Sequence, residues 1–515
     1  MPLVKTYGAA VQGVNALPIN IEVSATDGDY YCLVGLPDNA VKESRERVNT
    51  ALFNCGHPVL RKNIVINMAP ADIKKEGSAY DLPIAVGIVA ATEAMELRGL
   101  EKYLIMGELS LDGTLMPIKG ALPIAILARE MGLEGFILPK HNAMEAAVVN
   151  NLTVYGADNI SQVLEFLAGD KSAIVPTEID TRALFAVNQM RAYDIDFADV
   201  KGQDNVKRAL EVAAAGGHNI IMIGPPGAGK SMMAKRLPTI LPPLTLAEAL
   251  ETTKIHSVVG VVGSETSLIA HRPFRSPHHT ISDVALVGGG AYPQPGEISL
   301  AHNGVLFLDE LPEYKRTVLE VMRQPLEDRK INISRAKVSV EYPASFMLVA
   351  AMNPCPCGYY NHPTHPCTCS PTAVQKYLSR ISGPLMDRID IQVEIVPVPF
   401  EKLSAMAPAE SSAAIRERVV KARQVQQQRF SNHKGIHCNA QMTERLIHKY
   451  AEPDEAGLNQ LKRAMERYDL SARAYTRILK VARTIADLEG SDGVLAHHIA
   501  EAINYRNLDR ANWAG

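Results

Sequence analysis

Gly224-Pro225-Pro226-Gly227-Ala228-Gly229-Lys230-Ser231 decides how this chain is read. It fits the G-x-x-x-x-G-K-[ST] phosphate-loop pattern. The apolar segment Asn219-Ile220-Ile221-Met222-Ile223 precedes it, and residues 232–237 read as the first turns of a helix. That strand–loop–helix context gives the pattern its meaning. Glycines let a backbone wrap closely around a phosphate. The amides and dipole at a helix start favour an anion there. In such a loop Lys230 neutralises the β/γ-phosphates and Ser231 holds Mg²⁺. The chain is therefore read as binding a nucleoside triphosphate, and what hydrolysis drives has to come from the rest of it.

The 515 residues suffice for about three or four domains of usual size. With 47% hydrophobic and 21% charged residues, large cores are possible and disorder is not expected. The formal net charge is −3, so bulk electrostatics do not pull the chain onto nucleic acid. DNA contact would have to come from local basic loops. Residues 1–23 lack the charged start and long apolar core of a signal peptide. No apolar run reaches membrane-spanning length. Four of the seven cysteines cluster, which reads as metal in a reducing, cytoplasmic setting rather than as a disulfide framework.

Residues 1–170 read as an α+β domain. Strands are expected at 20–24, 30–34, 63–68 and 135–138, and helices at 40–51, 82–94, 123–131 and 161–167. The last helix is capped by Asn159 and ended by Gly169. Asp112-Gly113 marks a hairpin. Residues 77–85, with Gly107-Glu108-Leu109-Ser110-Leu111-Asp112-Gly113 and Pro117-Ile118-Lys119-Gly120, resemble the Lon-protease-like fold. Lon proteases use a Ser–Lys dyad. Aligned through Asp81 and Pro83, the nucleophile position falls at Ile84 and the lysine position at Leu122. Neither can act as an activated hydroxyl or its base, so the domain is expected to be catalytically inactive. Residues 171–190 lack a clear period and read as a linker.

The nucleotide module spans 191–400. Gly304-Val305-Leu306-Phe307-Leu308-Asp309-Glu310 is an apolar strand ending in two acids. After a phosphate loop this is the Walker B arrangement, with Asp309 toward Mg²⁺ and Glu310 polarising the attacking water. A strand at 346–352 ends in Asn353-Pro354, where Asn353 either orients the water or simply starts a turn. About 70 residues separate the helix after Lys230 from the acidic strand, and this insertion includes His271-Arg272-Pro273-Phe274-Arg275-Ser276-Pro277-His278-His279-Thr280. Residues 329–342 read as a β-hairpin with Arg335 and Lys337 near its tip. Arg272, Arg275, Arg335 and Lys337 are candidates for sequence-independent phosphate contacts. The competing reading pairs Arg335 and Lys337 with acids. Cys355, Cys357, Cys367 and Cys369 form two C-x-C pairs, four thiolates suited to structural tetrahedral Zn²⁺. Disulfides are the alternative. Residues 401–515 are helical. A basic run at 413–430 fits a solvated helix face, and further helices are expected at 474–488 and 496–504.

These elements resemble the AAA+ superfamily, here an αβα core with a helical lid. The resemblance makes Asn353 sensor 1 and sets Gly202 and Gln203 beside the adenine. Gly383-Pro384-Leu385-Met386-Asp387-Arg388-Ile389-Asp390 is similar to the arginine-finger segment of the branch with Mg-chelatase subunits and MCM helicases, and Arg473 to sensor 2. It implies that Arg388 completes a neighbour's site in a ring, most often a hexamer, with Arg380 a lesser candidate. Without it, Arg388 reads as a salt bridge to Asp387 or Asp390. The insertion and hairpin match this branch's helix-2 insert and pre-sensor-1 hairpin, which face the pore. As a whole the chain resembles the Mg-chelatase-like AAA+ ATPases called YifB or ComM. This implies an ATP-driven hexameric helicase that migrates branched DNA in homologous recombination and natural transformation. The alternatives are a metal-chelatase motor subunit and an unfoldase or Lon-like proteolytic factor.

Overall fold

The computed structural model describes all residues except 1–2, 60, 191–192, 264–266, 291–292, 335–338, 361, 363, 399–408, 434 and 507–515. Contacts divide the chain into two units: 1–190 with 245–270 and 334–342, and 191–244 with 271–333 and 343–515.

The first unit is built on an eight-stranded mixed sheet. Its order is Pro176–Thr177, Thr153–Ala157, Gly135–Pro139, Tyr103–Ile105, Val4–Gln12, Asn15–Asp27, Lys62–Ala69, Tyr31–Val34. The long strands alternate buried and exposed residues. In Asn15–Asp27, for example, Ile19, Ile21 and Val23 are buried while Asn20 is exposed. The helix Asp81–Ala91 is apolar all round and buried along almost its whole length. It lies so close to the sheet that a Cβ at Gly87 would meet Val23 Cγ2 at 2.7 Å. Asn159 caps the helix Ile160–Ala168 by accepting from the Gln162 amide, and Gly169 follows it at φ 122°. The Asp112-Gly113 hairpin joins Glu108–Leu109 to Leu115–Met116. Ile84 and Leu122, the two positions aligned with a Ser–Lys dyad, are both fully buried. The Ser78 hydroxyl donates to Glu108, and Lys119 is exposed.

Two parts of the sequence reading change here. Residues 171–190 are not featureless: Pro176–Thr177 adds a strand to the sheet edge. The helix Thr181–Met190 follows, begun by a buried Thr181 hydroxyl donating to Val148 O at 3.0 Å. Their aperiodic composition hid this because only one residue of that helix is buried. The second change concerns residues 245–270, read as an insert of the nucleotide module. They group with the first unit. Their helix Leu246–Val259 is held by polar bonds: Gly120 N donates to Ser257 O at 2.9 Å, and Leu122 N donates to Glu145 Oε1 at 3.1 Å and Ser257 Oγ at 3.3 Å. Burial raises the Glu145 pKa, offset in part by Ser257 and Asn142.

The second unit contains a five-stranded parallel sheet ordered Phe274–Arg275, Val305–Leu308, Met347–Met352, Ile220–Ile223, Ile391–Glu394. The middle three are unbroken buried apolar runs, as strands covered on both faces must be. The helices Ser412–Arg429, Glu455–Tyr468, Ala472–Glu489 and Ala496–Asn504 follow it. The basic run is not simply a solvated face. Arg418 pairs with Glu211 and Glu410, Arg423 donates to Ala214 O, and Arg429 forks onto Asp487 at 2.8 and 2.5 Å. Asp487 also accepts from buried Arg483 and Asn439. Replacing it by Ala leaves the Arg429 and Arg483 guanidinium groups without their paired carboxylate. Asp487→Ala should destabilise this unit by about 3–5 kcal/mol in chemical denaturation, and a loss below about 1 kcal/mol would contradict the network's role.

Candidate nucleotide-binding site

Parallel strands bring their carboxyl ends to one edge, where open α/β sheets take ligands. The Ile220–Ile223 strand delivers the phosphate loop there, its neighbour Met347–Met352 delivers Asn353, and Val305–Leu308 delivers Asp309 and Glu310. Gly227 and Gly229 have φ of 75° and 90°, which suit glycine, and a Cβ at Gly227 would meet open space. Lys230 begins the helix Lys230–Ile240 and is 9% exposed. Its Nζ donates to Gly224 O at 2.7 Å, Pro225 O at 2.9 Å and Asn353 Oδ1 at 3.1 Å. Burial lowers its pKa, and the carboxylates of Asp309 and Glu310 oppose the shift. The Ser231 hydroxyl donates to Asp309 Oδ2 at 2.6 Å. This hydroxyl and carboxylate, side by side below an open glycine loop, form an oxygen donor set that fits Mg²⁺.

Glu310 adopts φ 53°, ψ 47°. Its carboxylate meets a residue not singled out from the sequence: His279 Nδ1 lies 3.2 Å from Glu310 Oε2. His279 stacks on His278 with ring centroids 4.1 Å apart and touches the Tyr314 ring edge. The Tyr314 hydroxyl donates to Pro277 O at 2.6 Å. No local signal marks this contact in the sequence: His278-His279 follows Phe274–Arg275, and the contact depends on that short strand pairing with the Asp309 strand.

The remaining candidates separate into groups. Gln203 has φ 61°, and its side-chain amide donates to Val396 O at 2.6 Å. Gly202 lines a cavity of about 390 Å³ with Lys207, Glu211, Glu410 and Arg418, within the size range of small-ligand pockets. Arg388 does not pair with Asp387 or Asp390. It donates to Pro384 O and Glu327, its side chain is 11% exposed, and its Nε has no acceptor among the described residues. Arg473 pairs with Asp387 at 2.7 Å and is 68% exposed. Arg380 pairs with Glu313 at 2.9 Å. Arg272 and Arg275, read as phosphate-contact candidates, are committed inside the protein. Arg272 donates to Pro242 O, Pro243 O and Asn303 O, and Arg275 forks onto Glu297 at 2.6 and 2.7 Å. Both guanidinium groups thus have acceptors within the chain. Arg335 and Lys337 lie outside the described residues.

The four clustered cysteines are free thiols whose Sγ atoms all lie within 4.8 Å of one another. Three of the separations are 3.3, 3.5 and 3.7 Å. A disulfide needs about 2.05 Å. A tetrahedral ion with Zn–S bonds of about 2.3 Å sets sulfurs about 3.8 Å apart, so the donor set fits such an ion. Burial works against the Cys357 thiolate, yet amide bonds from Tyr359 and Thr368 and the neighbouring thiols outweigh it, and its pKa falls to about 5.

Comparison with known proteins agrees with this geometry. Residues 196–403 match the model described as magnesium chelatase, subunit ChlI; 21–142 match subunit ChlI of Mg-chelatase, and 409–506 match its C-terminal part. The chain is 43% identical over 516 residues to competence protein ComM of Haemophilus influenzae, covering 99% of this chain and 98% of that one. The chain belongs to the YifB/ComM family of Mg-chelatase-like proteins. It is equally 43% identical, over 512 residues, to YifB of Escherichia coli, covering 99% and 98%. A shorter match, 32% over 159 residues, links 28% of the chain to 27% of Lon protease 2 of Bacillus subtilis. The fold is thus a mixed α/β one with an AAA+ core and a Lon-like N-terminal region, and the family is one of AAA+ ATPases. Among the described residues no helix is long and apolar enough to cross a membrane.

Within this YifB/ComM site, His279 holds one oxygen of Glu310. His279→Ala should raise basal ATP hydrolysis by up to about fivefold, the rate equivalent of an ion pair of about 1 kcal/mol, with nucleotide affinity unchanged. A steady-state ATPase assay alongside nucleotide titration checks this, and a weaker nucleotide Kd would contradict it.

Proposed function

We propose that the protein is an ATP-driven ring motor on DNA that promotes branch migration or unwinding in homologous recombination, and so serves natural transformation. One observation carries the hydrolytic half of this reading: Ser231 and Asp309 meet at 2.6 Å beside a buried Lys230 that reaches Asn353. In this reading Lys230 and the loop amides bind the phosphates, Ser231 and Asp309 hold Mg²⁺, Glu310 polarises the attacking water, and Asn353 positions it. Gly202 and Gln203 flank the base. The bound Mg²⁺ neutralises charge on the phosphates.

Arg388 acts on a neighbouring copy's nucleotide, which makes a ring, most simply a hexamer, the working form. Its Nε without an acceptor supports this, because a partly unsatisfied guanidinium is less costly to release than a fully bonded one. Arg473, next to it through Asp387, serves the same neighbouring site rather than its own. The four cysteines hold a structural Zn²⁺. DNA contact falls to basic segments such as that of Arg335 and Lys337, since Arg272 and Arg275 have acceptors within the chain.

The name of the Haemophilus influenzae relative, a competence protein, favours the DNA reading. The description of the matching family models, a magnesium chelatase subunit, keeps a chelatase-type motor as the second reading. Strand exchange separates them. With labelled branched DNA and ATP, the wild type should convert the junction to products, while Lys230→Ala should stay at background. Wild-type protein that hydrolyses ATP yet exchanges strands no faster than Lys230→Ala would reject the DNA reading.

A further inference from the structure

The four-cysteine segment packs directly on the phosphate loop. Gly358, the residue after Cys357, has φ 86°, and a Cβ there would lie 2.6 Å from Pro226 Cδ and 3.0 Å from Pro226 Cγ. Only glycine permits both the conformation and the approach. Two residues on, Tyr360 joins His362 in lining a gap of about 50 Å³ over Gly224, Pro225 and Val396. Ligand pockets start at about 300 Å³, so this gap is a seam between packed segments rather than a binding site.

Both ends of the segment are tied to the same place. Upstream, Asn353 Oδ1 accepts from Lys230 Nζ at 3.1 Å. Downstream, Ser370 caps the helix Pro371–Leu378 by accepting from the Ala373 amide. From that helix the Tyr377 oxygen comes back to the Asn353 backbone N–H, on its acceptor side. The four thiols join the two ends, Cys355 and Cys357 on one side and Cys367 and Cys369 on the other. The phosphate loop itself has little side chain to hold it in shape, and a Cβ at Gly227 would find nothing within 4 Å. Besides the Lys230 bonds to Gly224 O and Pro225 O, it leans on this segment at Pro226.

We propose that the metal held by the four cysteines is a brace for the phosphate loop: loading presses Gly358 and Tyr360 against Pro225 and Pro226 and thereby sets nucleotide affinity. This rests on the zinc assignment proposed above. A metal bound to thiolates stabilises a small loop that has no core of its own. Its loss frees the loop from Cys355 to Cys369 while the parallel sheet, which has its own core, persists.

The test uses the full chain under reducing conditions. Metal content is measured first, then the affinity for a fluorescent ATP analogue is titrated for purified, chelator-stripped and zinc-repleted protein, with far-UV circular dichroism as a check on folding. The expected result is one zinc per chain, a roughly tenfold or greater loss of nucleotide affinity on stripping, the scale on which outer supports of a site act, and recovery with zinc. Gly358→Val provides a second route, because it keeps all four thiols but drives a branched side chain into Pro226. It should retain zinc and show the same direction of affinity loss, and it decides the matter should stripping unfold the chain. Equal affinity in stripped, repleted and Gly358→Val protein, with zinc present in the purified form, overturns the brace and leaves the zinc assignment standing. A metal content near zero overturns both.

Discussion

A buried ammonium group needs acceptors, and the Lys230 side chain finds three. Two are carbonyls of its own loop, Gly224 O and Pro225 O, and the third is Asn353 Oδ1 at the end of the neighbouring strand. Leaving such a charged donor unpaired away from water is costly. The bonds therefore fix the shape of the loop and its position relative to the next strand. Ser231 extends the same logic one strand further through Asp309. Three strand ends are thus locked at one point before any nucleotide arrives. The parallel order of the sheet makes this possible, and the apolar runs buried on both faces make the parallel order stable.

What the sequence made legible follows from where local chemistry decides structure. The phosphate loop, the acidic strand, the Asn159 cap and the Asp112-Gly113 turn each depend on residues within a few positions of one another, and each stands as read. The Lon-like region was visible through its turns, and the two positions aligned with a dyad, Ile84 and Leu122, lie buried. Long-range partners were not legible. Nothing local indicates that Arg275 would meet Glu297, that Arg388 would turn to Glu327, or that Ser257 would bond to Gly120 and Leu122. A charged residue in a loop looks the same whether it awaits a ligand or already has a partner. His279 was missed for the same reason, since its role depends on a strand pairing with Val305–Leu308.

The arginines form a second system beside the loop. Arg473 and Arg477, one turn apart on the helix Ala472–Glu489, pair with Asp387 and Asp390 on either side of Arg388. Asp390 is buried with His218, and its carboxyl is held far below the usual carboxylate range: Arg477 and His218 outweigh a large opposing desolvation. The segment carrying Arg388 is thus clamped to the lid helix and not to its own phosphate loop. Arg388 itself pairs with Glu327.

Whether the site is shared between copies is the central claim, and subunit mixing measures it most directly. Lys230→Ala and Arg388→Ala proteins are each assayed for ATP hydrolysis, then mixed under conditions that allow subunits to exchange. A shared site predicts that each variant is inactive alone and that the mixture regains hydrolysis, because some interfaces pair an intact Lys230 with an intact Arg388. Exchanged mixtures that stay as inactive as the separate variants, or an Arg388→Ala protein with full activity, would contradict it.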